Sequence, residues 1–262
     1  MRIVRDDDNE IGEDSPPERI VAWMLARFAE RRVAVTTGFG MEGCALVDMV
    51  ARHGVPLRVL YLDTDFLFPE TLRLRDRLAA RYPHLRFERR ATALTPAAQE
   101  ERYGAELWVR EPDTCCTLRK VEPMREALAE VDVWVTGLMR SQSPSRAGLR
   151  VVEWDWQYQL LKVNPLASWD RALVWEYVQR HDVPYNELHD RGYPSLGCTH
   201  CTLPVAGSTT GEYTRDGRWR GRTKLECGLH AAGRDGGTAG RRSIGSEVKE
   251  GLPAWSPSLR SG

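Results

Sequence analysis

Near the start of the chain Ile20, Val21, Met24, Leu25 and Phe28 recur at helical spacing, which predicts a helix from about Glu18 to Arg31. The pattern then changes. Val33-Ala34-Val35-Thr36 is a short apolar run of the kind a buried strand makes. It enters Thr37-Gly38-Phe39-Gly40-Met41-Glu42-Gly43, and an apolar helical stretch follows from Cys44 to Val50. A second strand, Leu57 to Leu62, ends in Asp63-Thr64-Asp65. Further strands are expected at Leu85–Glu88 and Val131–Thr136, with helical patterns at 70–81 and 119–130. This alternation implies an α/β fold, a mostly parallel sheet flanked by helices. Ser168 is placed to cap one more helix, with Asp170 in its first turn and Leu173, Val174 and Tyr177 on its apolar face.

Ligands of such sheets bind beyond the strand C-termini. Segments 36–43, 63–68 and 136–146 fall there and are expected to form one pocket. A strand, a glycine-rich turn and a helix together present backbone N–H groups to phosphate or sulfate. Thr36, Thr37, Gly38, Phe39 and Gly40 would supply the cradle, although the Gly-Lys-Ser/Thr ending of a Walker A loop is missing. Anchoring an anion also needs cations. Arg140 and Arg146 flank Ser-Gln-Ser-Pro-Ser, Lys162 is a third candidate, and Arg218, Arg220 and Arg222 precede the last cysteine.

Composition narrows the class. The 262 residues suffice for one large core, and 37 basic residues balance 37 acidic ones. No global basic field argues for nucleic-acid binding. No apolar run has transmembrane length, and the acidic, polar start does not read as a signal peptide, so cytoplasm is the expected location. Residues 1–17 are expected to be a loose leader and 231–262 a flexible tail.

Cysteine usage changes the picture most. Cys115-Cys116 and Cys198-Thr-His-Cys201 are two close pairs, and Cys227 stands apart in Glu-Cys-Gly-Leu-His. Four soft thiolates suit zinc or an iron–sulfur cluster, and spacing alone leaves both open. Adjacent cysteines reach one site more readily at a helix start than in a strand, whose side chains alternate faces. His200 is expected to be solvated, or at most to sit beside the ligands. Cys227 follows several arginines, and positive surroundings raise the thiolate fraction of a cysteine.

The stretches CCTLRK at 115–120, TGLMRSQSPSR at 136–146, KVNPLASW at 162–169, RGYPSLGCTHCTLPV at 191–205 and KLECGLH at 224–230 carry a resemblance. In this order they resemble the assimilatory adenylyl-sulfate reductases of the iron–sulfur type. The resemblance implies an adenine nucleotide alpha-hydrolase-like fold over residues 18–205, then a mobile flap with the catalytic cysteine over 206–230. It implies one [4Fe–4S] cluster per subunit on Cys115, Cys116, Cys198 and Cys201, with Arg119 and Lys120 beside it. Cys227 would be the nucleophile, and Asp63, Thr64 and Lys224 would join the substrate contacts. The implied reaction reduces adenosine 5′-phosphosulfate to sulfite and AMP, with reduced thioredoxin or a similar dithiol protein as partner. Alternatives are the 3′-phosphorylated substrate, an ATP-dependent sulfurtransferase, or a zinc-stabilised binding module. Two positions depart from the family pattern. Asp65 stands where Asp-Thr-Gly is usual, so its carboxylate is expected to point away from the anion. Gly38 stands where relatives carry a serine.

Overall fold

The computed structural model describes residues 11–209, 213–222, 224 and 226–230. All lie within Met1–Ala232, and the expected tail, 231–262, falls outside the described residues. Strands β1 (Val33–Thr36), β2 (Arg58–Leu62), β3 (Arg86–Arg90), β4 (Val133–Val135), β5 (Val152–Asp155) and β6 (Leu160–Val163) form one sheet. Its order is β3-β2-β1-β4-β6-β5. Every neighbouring pair is parallel except β5 and β6. Val35 at the centre registers with Val59 on one side and Val135 on the other. These central strands read as unbroken apolar runs because helices cover both of their faces. Among the described residues no helix is long and apolar enough to cross a membrane.

The chain winds from β1 outward through β2 to β3, then returns to β4 on the other side of β1. Strand order therefore reverses between β1 and β4, and such a switch point leaves a crevice at the strand C-termini. Helix α1 (Pro17–Arg27) is shorter than expected, because the chain leaves helical geometry at Phe28. Helix α2 (Met41–Ala51) follows β1, and α3 (Pro69–Arg81) follows β2. Asp48 of α2 clamps the layer. Its buried carboxylate accepts from Tyr82 Oη at 2.7 Å, Tyr177 Oη at 2.7 Å and Arg52 Nε at 2.6 Å.

Helices α4 (Pro96–Tyr103), α5 (Leu107–Arg110) and α6 (Pro112–Cys116) precede a π-helical turn at Thr117–Val121, which runs into α7 (Glu122–Leu128). The helix expected from 119 thus begins seven residues earlier and carries a widened turn inside it. In α8 (Arg171–Arg180) the capping oxygen belongs to Asp170, which accepts from Leu173 N at 3.0 Å, and not to Ser168. Leu173 is exposed, so the apolar face rests on Val174 and Tyr177. The β5–β6 hairpin was not anticipated. Of the expected leader, residues 1–10 lie outside the described residues, while Glu13 pairs with Arg140 and with Arg150.

Candidate active site

Two loops at the strand ends hold non-glycine residues in the left-handed region, Phe39 after β1 and Asp65 after β2, both at φ 59°. Such conformations persist only where their surroundings enforce them. Phe39 is fully buried and its ring meets Tyr61 at 5.3 Å. Thr37 Oγ1 accepts from Phe39 N at 2.9 Å, which pins the turn. Gly43 is needed here, since a Cβ would lie 2.4 Å from Thr37 Oγ1. The first turn of α2 therefore packs directly on the loop that lines the crevice.

That crevice is a cavity of about 240 Å³. Thr36, Thr37, Gly38, Phe39 and Gly40 line it, together with Thr64, Thr136, Gly137, Gln142 and Arg146. The three segments expected to converge do so. Trp134, one strand over, donates from Nε1 to Thr36 Oγ1 at 2.8 Å. The other wall comes from the C-terminal third: His189, Ser195, Gly197, Cys198, Arg215, Arg218, Glu226, Cys227 and His230.

The cations divide into two groups. Arg146 and Arg218 face the cavity, and so does Arg215, which sequence reasoning missed. Arg146 Nη2 and Arg215 Nη2 meet the Glu226 carboxylate at 2.9 Å and 3.4 Å. Arg218 donates to the Leu196 carbonyl at 2.7 Å and the Cys201 carbonyl at 3.2 Å, packing so closely on Gly197 that a Cβ there would clash. The remaining candidates are engaged elsewhere. Arg140 holds Glu13 and the Leu149 carbonyl. Lys162 is buried between Glu153 and Asp155, both at 3.3 Å, and does not line the cavity. Arg222 donates to the Val109 carbonyl, Lys224 pairs with Asp113, and Arg220 is exposed away from the cavity. Asp63 is also outside the lining and pairs with Arg89 at 2.7 Å. A sequence shows charge but not the partner that neutralises it, so these commitments were invisible.

Cys115, Cys116, Cys198 and Cys201 line a second, smaller cavity with Phe66, Trp108, Arg119, Lys120 and His200. Cys115 and Cys116 close helix α6, just before the π turn. The Cys198 loop is docked against β2's exit: Cys198 bridges Leu67, and Thr64 Oγ1 lies 3.2 Å from Cys198 Sγ. Burial and the neighbouring thiols push Cys115 up to about 11; burial pushes Cys116 up to about 12. Among the described residues no three His, Cys, Asp or Glu donors are grouped tightly enough for a single ion. Four thiols around one space, with two cations beside them, would suit a cube that takes its thiolates at separate corners. Trp108 stacks on His200 at 4.0 Å and 11°, so His200 roofs this cavity.

Arg119 is spent on structure. It donates to Gln99 Oε1 at 2.6 Å, the Thr64 carbonyl at 3.0 Å and Asp65 Oδ2 at 2.7 Å. This is where the unusual Asp65 carboxylate goes, away from the anion cradle as expected. Lys120 and Cys198 line both cavities and form the partition between them. Burial works against the Lys120 charge, but Cys198, Cys227 and Cys116 outweigh it and hold the ammonium well above its ordinary range. Burial likewise opposes the Cys227 thiolate, yet Lys120, the Leu229 backbone amide and Arg218 overcome it, and the thiol falls below its usual value. Cys44, the sixth cysteine, is fully buried, and burial together with Glu42 raises its thiol.

Residues 32–204 match the phosphoadenosine phosphosulfate reductase domain. The chain belongs to the phosphoadenosine phosphosulfate reductase family. It is 45% identical over 84% of its length, and 90% of the relative's, to a phosphoadenosine 5′-phosphosulfate reductase of Gloeobacter violaceus. It is 43% identical to an adenosine 5′-phosphosulfate reductase of Shouchella clausii, covering 81% of this chain and 86% of that one. A crystal structure of a phosphoadenylyl-sulfate reductase from Candida auris superposes with a TM-score of 0.64 at 30% identity, covering 78% of this chain and 99% of that one. An FMN adenylyltransferase of Candida glabrata, at 18% identity and a TM-score of 0.52, shares the fold alone. The reductase match ends at residue 204, so Arg215, Arg218 and Cys227 enter the site from beyond it.

Proposed function

We propose that this enzyme reduces adenosine 5′-phosphosulfate to sulfite and AMP with electrons from thioredoxin or a similar dithiol protein. The observation that carries the reading is the place of Cys227: its lowered thiol lines the nucleotide cavity beside Lys120 and Arg218. The β1–α2 turn would receive the α-phosphate, and Arg146, Arg215 and Arg218 would face the sulfate. The Cys227 thiolate attacks sulfur, the sulfur–oxygen bond to phosphate breaks, and AMP leaves with the bonding pair. Cys227 then carries S-sulfocysteine. A partner thiolate attacks Cys227 Sγ and expels sulfite, and the partner's second thiol resolves the mixed disulfide, so the dithiol supplies both electrons. Gly228, at φ 86°, gives the cysteine a hinge on its C-terminal side.

Cys115, Cys116, Cys198 and Cys201 would hold a [4Fe–4S] cluster, whose charge, relayed through Lys120, would tune the field at the reacting sulfur. A colourless protein containing zinc would contradict that part. Intact-mass measurement tests the central claim: substrate without thioredoxin should add one sulfonate to the parent protein and none to Cys227→Ser. An adduct surviving in the variant would place the nucleophile elsewhere. Use of the 3′-phosphorylated substrate is the second reading, supported by the names of the Gloeobacter and Candida auris relatives. We expect at least a tenfold preference in kcat/KM for the substrate without the 3′-phosphate, which corresponds to about 1.4 kcal/mol.

A further inference from the structure

Five residues lining the nucleotide cavity carry a buried side-chain atom without a hydrogen-bond partner among the described residues: Arg146 Nε, Arg215 Nε, His230 Nδ1, His189 Nε2 and Ser195 Oγ. Of these, His189 Nε2 and Ser195 Oγ lie outside the segment that brings in Cys227 and outside the arginines. Their residues are 3% and 5% exposed, and both line the cavity. The other ring nitrogen fixes the tautomer of the histidine. Nδ1 lies 2.7 Å from the Tyr193 carbonyl oxygen, which can only accept, so Nδ1 carries the proton. Arg171 Nη2 lies 3.2 Å from the same nitrogen, and the shorter contact to the carbonyl decides the tautomer. Burial first, and Arg171 second, hold His189 down at about 4, so the ring is neutral at physiological pH. Nε2 is therefore a lone pair without a partner, in a side chain that lines the cavity.

A buried acceptor calls for a donor. The phosphate and sulfate oxygens of a sulfonucleotide only accept at neutral pH. Its donors are the ribose hydroxyls and the adenine amino group. Position separates these two. Arg171 Nη1 binds Glu42 Oε1 at 2.6 Å, and Glu42 is the second residue of α2, beside the phosphate cradle. His189 thus sits one side chain from the turn that receives the α-phosphate. The ribose is joined to that phosphate through a single methylene, whereas the amino group lies on the far side of the sugar.

We propose that His189 Nε2, assisted by Ser195 Oγ, accepts a hydrogen bond from the ribose hydroxyls and selects a nucleotide whose 3′-hydroxyl is free. The inference rests on the reading of this cavity as a sulfonucleotide site. A 3′-phosphate would replace the donor by an anion carrying only acceptors. Lone pair would then face lone pair, and the buried nitrogen would stay unpaired. Specificity of this kind comes from a site built to bond a hydroxyl, which rejects the analogue lacking it.

Calorimetric titration of the full chain with AMP, 3′-deoxy-AMP and adenosine 3′,5′-bisphosphate tests this without any turnover. The parent should bind AMP about tenfold more tightly than either analogue. In His189→Ala and Ser195→Ala the gap should close to about threefold or less, while His189→Gln, whose amide oxygen reaches toward the place of Nε2, keeps part of it. Should His189→Ala fail to fold, Ser195→Ala and His189→Gln decide alone. Equal binding of AMP and 3′-deoxy-AMP by the parent, or an undiminished gap in folded variants, overturns the proposal. A parent that binds none of the three overturns the reading of the cavity itself.

Discussion

Lys120 is buried where an ammonium loses its water, and the thiols around it replace what the water supplied. The same charge helps to lower the Cys227 thiol below its usual value, so the two residues are one electrostatic unit. Lys120→Met should therefore act on the nucleophile without touching it. A thiol with a lowered pKa stays reactive at lower pH, so removing the cation moves the midpoint of Cys227 alkylation upward. Turnover should fall by about 10²–10³, the cost of deleting one stabilising group from a dry site. An unchanged alkylation profile would show that Arg218 and the Leu229 amide suffice. Candidate positions were legible at this scale for the cysteines and the β1–α2 turn, which fold to line the two cavities. They were not legible for Arg140 and Lys162, whose partners Glu13 and Glu153 are set by folding. Nor did anything local mark His189, a histidine whose importance lies in the nitrogen left without a partner.

Elements were readable where burial imposes one period. The parallel strands β1, β2 and β4 are covered on both faces, and their apolar runs stand out. The β5–β6 hairpin escaped because its charges answer one another across the ladder. Glu153 registers opposite Lys162, and the pair closes at 3.3 Å, so a polar-looking stretch is still a strand. The π turn at Thr117–Val121 escaped for another reason: it keeps helical composition while shifting the face that follows, as such turns do at functional sites. Helix packing yields its own test at Asp48. Burial opposes its charge, but Arg52, Tyr177 and Tyr82 donate to it and its pKa falls below the ordinary 3.8. Its folded pKa being the lower one, this stabilisation is complete above the unfolded value and is lost as pH drops through the folded value. Asp48→Asn should cost about 3–5 kcal/mol in denaturant unfolding at neutral pH. It should also flatten the acid limb of the stability profile.

For the whole molecule, the strand-order reversal between β1 and β4 decides where chemistry can occur, and the C-terminal segment closes over that place. The cysteine cavity is built against its side, sharing Lys120 and Cys198 as a common wall. Closure has a consequence for ionic strength. Glu226 travels with the nucleophile and occupies Arg146 and Arg215, two of the guanidinium groups an incoming sulfate would want. It is a competitor carried on the same chain, present at an effective concentration that no dilution lowers. Added salt weakens the ligand's hold on the arginines, but it weakens this internal rival too. AMP and sulfate should therefore bind with a shallow salt dependence. Glu226→Gln should tighten binding several-fold at low salt and steepen the slope, bringing it closer to that of an open basic pocket.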